Sequence, residues 1–234
     1  MRLPGSGGAH GAGSGGCHAI SALSRTVIDG STMSVFTMAT GYDGSMTPER
    51  FPEFRLGRVL ATSFTGTLSE RCGKAVERIP VPSRLSDWLA VSGLAVDSCV
   101  EADLHRAREL REVIHAAATA VANQSPPPSA AIRAINSYSA HGRAWPVLTS
   151  TGSRIWRLGS ASVEDALSVI AADAIEIIAG ERDGKMTLCA SPTCQAAFFD
   201  TSRSRTRRWC EMNTCGNREK KARFLANKRK DSGR

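Results

Sequence analysis

The chain has 234 residues, of which 41% are hydrophobic and 22% charged, a composition that predicts a soluble globular protein with one core and a small further module. The charge is uneven: residues 185–234 hold 13 Lys and Arg against 4 Asp and Glu, whereas the other 184 residues sum to −1. A neutral body with a basic C-terminal module indicates a polyanionic partner, most often nucleic acid, although a solvated basic tail has the same composition.

The longest apolar stretch, residues 166–180, is interrupted by Asp173 and Glu176, which excludes a transmembrane segment. Residues 1–17 lack the apolar run of a signal peptide. We therefore expect a cytoplasmic protein without a membrane partner. In a reducing compartment, paired cysteines are more often metal ligands than disulfides.

Residues 1–45 are rich in Gly, Ser and Thr without helical or strand periodicity, which predicts disorder. Residues 54–68, "FRLGRVLATSFTGTL", alternate apolar and small polar side chains and predict a strand or a hairpin. The next segment, "SRLSDWLAVSGL", predicts a short helix that is capped by Ser83 and ends at Gly93.

The longest predicted helix follows, with apolar residues at steps of three and four from Val100 to Val121 before a triple proline stops it. Residues 129–140 predict a third helix, and residues 144–158 predict a hairpin that turns around Gly152. A fourth helix is predicted over residues 163–179, ended by Gly180. This order of elements predicts an α+β fold with several helices and a small sheet.

Four cysteines near the C-terminus form two C-x4-C pairs separated by fifteen residues: Cys189, Cys194, Cys210 and Cys215. Four thiolates match the tetrahedral soft-ligand shell that zinc prefers, and they leave no open coordination position for catalysis. We therefore predict one structural Zn²⁺; disulfides and unligated thiols are the alternatives. A module of roughly 45 residues buries too little apolar surface to fold alone, so the ion would supply its folding energy.

Within this module, "AAFFD" at 196–200 and "RRWC" at 207–210 predict two short strands joined by a turn, and residues 218–230 predict a helix. A knuckle, a hairpin and a helix are the layout of a treble-clef-like zinc finger. The module also carries the candidate nucleic-acid contacts: Arg203, Arg205, Arg207, Arg208, Asn217, Arg218, Lys220, Lys221 and Arg223. Arginine suits phosphate oxygens and the guanine edge, so duplex DNA is the predicted partner. RNA or an acidic protein partner is the alternative.

The four residues Cys215, Gly216, Asn217 and Arg218 resemble the motif of the CGNR zinc finger proteins, and "LSDWLAVSGL", "RELREVIHAAA" and "AADAIEIIAG" resemble their N-terminal ABATE domain. The resemblance implies an ABATE-like α+β domain over residues 46–182, a finger over 183–230 and a tail over 231–234. It also implies a stress-related, zinc-dependent transcription regulator whose N-terminal domain senses a small-molecule effector. Relatives carry an "LDFVNT"-like stretch where this chain has "LATSFTGT".

The sequence contains no glycine-rich phosphate loop and no nucleophile elbow. His105 and His115 stand ten residues apart on the longest predicted helix, not four apart as in zinc proteases. We therefore do not expect an enzyme.

Overall fold

The computed structural model describes residues 51–232, which contain six α-helices, one π-helical turn and six short strands. In chain order these are α1 Leu60–Thr65, β1 Leu68–Ser69, β2 Val76–Glu77, α2 Pro82–Val91, α3 Glu101–Ala122, α4 Ser129–His141, β3 Ala144–Leu148, β4 Arg154–Leu158, α5 Val163–Ala179, β5 Lys185–Leu188, β6 Ala197–Asp200, the π-turn Met212–Gly216 and α6 Asn217–Ser232. The strands form three antiparallel pairs, β1–β2, β3–β4 and β5–β6. The α+β prediction is confirmed. The predicted disorder over residues 1–45 and the end of the predicted tail lie outside the described residues.

Helix α5 lies at the centre of the core, where α1, α3 and α4 all pack against it. Ser162 caps its start by accepting a hydrogen bond from the Asp165 N–H at 3.2 Å, and Gly180, at φ +78°, ends it. The boundaries match the sequence prediction because both signals are local. Within residues 51–232, no helix combines the length and hydropathy that crossing a membrane requires.

Helix α3 presents the predicted apolar stripe to this core, with Leu104, Leu110 and Ile114 fully buried. The stripe begins later than predicted, since Val100 precedes the helix and is 58% exposed. Arg111 is buried on the same helix and pairs with Glu77 at 2.8 Å. A buried guanidinium needs such a partner, because an unpaired charge would cost several kcal/mol.

The prediction of a strand or hairpin over residues 54–68 is wrong for most of that stretch, because its centre forms α1. Hydroxyl side chains account for part of the difference. Ser63 donates to the carbonyl of Val59 at 2.8 Å, and Thr65 donates to that of Thr62 at 3.1 Å. These bonds give the hydroxyl groups of the buried Ser63 and Thr65 partners within the turn, so both side chains are tolerated in a buried helix.

Tertiary packing accounts for the rest of the α1 difference. Asp173 of α5 accepts a hydrogen bond from the Ala61 N–H at 2.7 Å, across 112 residues of sequence. Phe64 is fully buried, with its ring centroid 5.2 Å from that of Trp88. A strand would turn alternate side chains away from this core, whereas one helical turn keeps Ala61 and Phe64 on the same face.

The start of α2 also corrects the prediction, since Ser83 lies inside the helix and does not cap it. The helix begins at Pro82, preceded by Val81, with no side-chain hydrogen bond at the cap. Proline suits the first helical turn because its missing N–H would have no intrahelical partner there. Gly93, at φ +78°, follows the end of the helix as predicted.

The predicted third helix and the hairpin after it are both confirmed, as α4 and the β3–β4 pair. Val147 lies opposite Ile155, and the turn between the strands contains Gly152 at φ +78°. A positive φ at this position favours glycine, which is why the turn was visible in the sequence.

Strand β6 joins the helical core to the cysteine-rich region. Its adjacent residues Phe198 and Phe199 lie on opposite faces of the strand: Phe199 packs in the helical core and Phe198 packs among the cysteines. A Cβ at Gly184 would overlap the Phe199 ring, so glycine is needed there. Because α3 also contacts both β5 and β6, the described part of the chain forms one compact unit.

Candidate metal centre and basic residues

The four predicted ligands come together from two loops. Cys189 directly follows β5 and Cys194 precedes β6, while Cys210 precedes the π-turn and Cys215 lies within it. The sulfur of Cys210 is 3.7 Å from that of Cys194 and 3.7 Å from that of Cys215. All four sulfurs lie within 4.8 Å of one another, and three of the four residues are buried. Within residues 51–232 these thiols form no disulfide.

This spacing fits one zinc ion. Four Zn–S bonds of about 2.3 Å in a tetrahedron place the sulfurs about 3.8 Å apart. Hydrogen bonds from Cys194 and Cys210 hold the pKa of the Cys189 thiol well below its ordinary value, whereas burial and neighbouring thiolates raise the pKa of Cys215 to about 12. The thiols therefore do not all ionise together unless a cation compensates their charge. The cluster is a site for one structural zinc.

Backbone hydrogen bonds shape the first cysteine pair. The Cys189 N–H donates to the carbonyl of Ala196 at 2.9 Å, and the Cys194 N–H donates to that of Ser191 at 3.1 Å. Pro192 lies inside this turn, where its fixed φ favours a tight bend. The first two ligands are thus positioned by contacts within eight residues of sequence.

The second cysteine pair depends on the π-turn. Its start is closed by the Gly216 N–H, which donates to the carbonyl of Glu211 at 3.2 Å. Gly216 is buried, and a Cβ there would overlap the sulfur of Met212. A side chain at position 216 would therefore displace the exposed Met212 side chain, which packs over the glycine beside Cys215.

The segment between the cysteine pairs corrects the predicted hairpin. Residues 197–200 do form a strand, but its partner is β5, for which the sequence pattern gave no prediction. Residues 207–210 form no strand. The carboxylate of the fully buried Asp200 holds this segment by accepting the N–H groups of Ser202 and Arg207, each at 2.9 Å. Because these amides bond to a side chain, residues 201–209 form a loop and not a second strand.

We expect Asp200→Asn to loosen the loop of residues 201–209. Burial raises the pKa of Asp200, but hydrogen bonds from Ser202 and Arg207 outweigh it and hold the pKa below its ordinary value. The carboxylate thus contributes stability above about pH 4, and this contribution is lost as the pH falls further. Near neutral pH the substitution should cost about 1–3 kcal/mol. The measurement is amide exchange at Ser202 and Arg207.

The matched control for this loop prediction is Asp87→Asn, which removes the same charge from an exposed carboxylate of α2 that makes its ion pair with Arg84 and not with the loop. Its amide exchange at the two loop positions should equal that of the unsubstituted protein. Equal protection in the Asp200 variant would contradict the role assigned to that carboxylate.

Eight of the nine predicted nucleic-acid contacts are exposed: Arg203, Arg205, Arg207, Arg208, Asn217, Lys220, Lys221 and Arg223. We call the seven cations among them the basic set. Arg205 pairs with Asp183, Arg207 donates to the carbonyl of Cys210 at 2.8 Å, and Arg208 lies over the Trp209 ring. These contacts hold the side chains near the metal cluster without neutralising most of their charge.

The last helix, α6, leaves the cysteine cluster with residues 220–229 all exposed. Even Phe224 and Leu225 are exposed, at 67% and 44%. The described core therefore covers no face of this helix beyond its first turn.

Arg218 is half-buried and directs its guanidinium to partners within the protein. Its guanidinium donates to Glu70 at 2.8 Å and to the hydroxyl of Ser191 at 2.9 Å, and it lies 3.5 Å from the sulfur of Cys215. The neighbouring Asn217 donates to the carbonyl of Asn213 at 3.2 Å. Both side chains thus brace the metal cluster, and Arg218 also ties it to the loop after β1. We leave Arg218 out of the basic set for this reason.

Two residues of this region were not identified from the sequence. Asp200 had a local signal, since an aspartate whose carboxylate accepts the N–H two residues later is a common turn former. Glu70 had no local signal in the sequence. It contacts Arg218 across 148 residues, and its φ of +55° is set by the surrounding fold.

Comparison with known families gives two matches. The model of the ABATE family, described as "Putative stress-induced transcription regulator", matches residues 58–181. The model of the CGNR zinc finger matches residues 185–228, which include all four cysteines. No curated protein matches the chain.

Proposed function

The chain belongs to the ABATE family and carries a C-terminal CGNR zinc finger, and from this we propose that it is a zinc-dependent transcription regulator that binds duplex DNA through the finger. The observation that carries the proposal is the basic set, seven exposed cations within 21 residues of a metal-organised module. A solvated tail would need neither the metal cluster nor the Asp200 carboxylate that holds the loop of residues 201–209, which we call the arginine loop.

The charge distribution supports a polyanionic partner. Residues 185–234 carry 13 Lys and Arg against 4 Asp and Glu. Such a concentration of charge attracts phosphates and accelerates association, more strongly at low salt. The four arginines of the loop suit bidentate contacts with phosphate oxygens or with guanine.

Helix α6 supports a groove contact. It has 16 residues, which gives a length of about 24 Å, and the major groove of B-DNA is about 12 Å wide and admits a helix. Lys220, Lys221 and Arg223 lie within its first two turns. We propose that these residues contact DNA together with the arginine loop.

Salt dependence tests the proposal. The logarithm of the affinity for a labelled duplex should fall linearly with the logarithm of salt concentration, by about 0.9 for each phosphate neutralised. The double variant Lys221→Ala, Arg223→Ala should reduce the slope by about 2, since each cation accounts for about one phosphate. Fluorescence anisotropy at salt concentrations from about 50 to about 300 mM measures both the affinity and its slope against salt.

The charge-matched control for the DNA test is the double variant Arg133→Ala, Arg157→Ala, which removes two exposed arginines of α4 and β4 outside the finger and should leave the slope unchanged. Structured RNA that competes better than duplex DNA would favour the RNA alternative. A shallow slope that the double variant does not alter would overturn DNA binding. It would then favour a protein partner, for which the exposed Phe224 and Leu225 offer an apolar contact.

A further inference from the structure

A cavity of about 520 Å³ lies between the start of the helical core and the zinc finger. One wall consists of residues 55–59 and the adjacent face of α1, including Thr62 and Ser63. The opposite wall comes from the finger, with β6, the arginine loop and the start of the π-turn. Its volume is within the range of small-molecule sites, about 300–1,000 Å³.

The charged groups that line this cavity are unbalanced. Three arginines, Arg55, Arg58 and Arg207, face one carboxylate, Glu211. Glu211 lies 3.5 Å from Arg55, and Arg207 is engaged with a backbone carbonyl. Arg58 forms no ion pair or hydrogen bond with the residues that the structure describes, 51–232. An excess of positive charge in a concave site favours an anion, and guanidinium bonds to carboxylates are among the stronger hydrogen bonds.

The uncharged part of the lining is mixed: hydroxyl side chains such as Thr62 and Ser63 stand beside a larger set of apolar residues. Val59 and Phe199 are buried residues of the helical core, and Phe198 belongs to the cysteine cluster. Leu56 and Met212 line the same cavity and are more exposed. Fully inorganic anions make no use of such surface. An anion with a hydrocarbon or aromatic body would bury it and gain roughly 25 cal/mol for each Å² removed from water.

We propose that this cavity binds a small organic anion, a carboxylate with an apolar body, whose charged group contacts Arg55 and Arg58. The site lies beside the zinc ligands, because Cys194 and Cys210 line the same cavity. Arg207 lines it as well and also belongs to the basic set. A ligand here would therefore touch both the helical core and the part of the finger that carries the arginines.

Calorimetric titration of the zinc-loaded full chain tests the proposal. Benzoate and hexanoate are the probes, and benzamide and hexanamide are their neutral counterparts. We expect at least one carboxylate to bind and its amide to bind at least about tenfold more weakly, since charge-assisted hydrogen bonds are lost. Arg58→Ala should weaken carboxylate binding by about tenfold, and Arg55→Ala by a similar factor. Arg133→Ala, on α4, should have no effect. Absence of binding by both carboxylates, or equal binding by the Arg58→Ala protein, overturns the site.

A second readout concerns regulation and rests on the proposed DNA binding. Because Arg207 is shared, the bound carboxylate should weaken the affinity for duplex DNA in the unsubstituted protein but not in Arg58→Ala. The two hypotheses fail separately. Heat of binding without any DNA affinity would overturn the DNA proposal alone, and DNA affinity without any heat of binding would overturn the anion site alone.

Discussion

Replacement of Cys215 by serine is expected to abolish zinc binding and to unfold the finger. Cys215 is fully buried, and its sulfur is 3.7 Å from that of Cys210, so the change removes one of four ligands from a closed shell. Structural zinc contributes on the order of 10 kcal/mol to the folding of such modules, which exceeds what their small apolar cluster supplies. Removal of zinc with a chelator should have the same consequence.

The measurements for Cys215→Ser are zinc content, duplex affinity and helical content by circular dichroism. Zinc should fall from one ion per chain to none, and specific duplex affinity should be lost. Most of the helical signal should remain, because α3 and α5 pack in a core that contains none of the four ligands. Cys99→Ser is the matched control, since Cys99 is a half-buried cysteine outside the cluster. A serine variant that retained one zinc ion would contradict the four-cysteine site.

Alanine at Phe199 is expected to lower the free energy of unfolding of the whole described unit by about 3–5 kcal/mol. The ring is only 6% exposed and packs in the helical core although it belongs to the strand that precedes the arginine loop. Truncation would leave a cavity beside Met186 and Gly184 that the surrounding helices cannot fill. The measurement is denaturant unfolding of the zinc-loaded protein, followed by far-ultraviolet circular dichroism.

Phe198→Ala is the matched comparison for the Phe199 substitution, because it removes the same side chain one residue away with the same 6% exposure. Phe198 packs against the cysteines, so its loss should lower zinc affinity while the unfolding of the helical core changes little. Zinc affinity should change far less in Phe199→Ala. If both variants had the same effect on core stability and on zinc affinity, β6 would not separate the two clusters as described.

The elements that could be predicted from the sequence depend on contacts between near neighbours. Helix α5 has its cap at Ser162 and its terminator at Gly180, and α3 shows its apolar stripe at steps of three and four. The zinc ligands were visible for a similar reason, since each C-x4-C pair bends around the ion by itself. In α1 the local pattern was misleading, because Asp173 and Trp88 stabilise the helix from distant parts of the chain.

Three features follow from short stretches of sequence, because composition, spacing and periodicity are local properties: the set of metal ligands, the concentration of positive charge in the last fifty residues and the long helices. Other features exist only in the folded chain: β6 pairs with β5, Arg218 pairs with Glu70, and three arginines line one cavity with two of the zinc ligands. Such contacts join residues up to 148 positions apart. Their energies depend on burial and distance, which arise only when the helical core and the finger pack together.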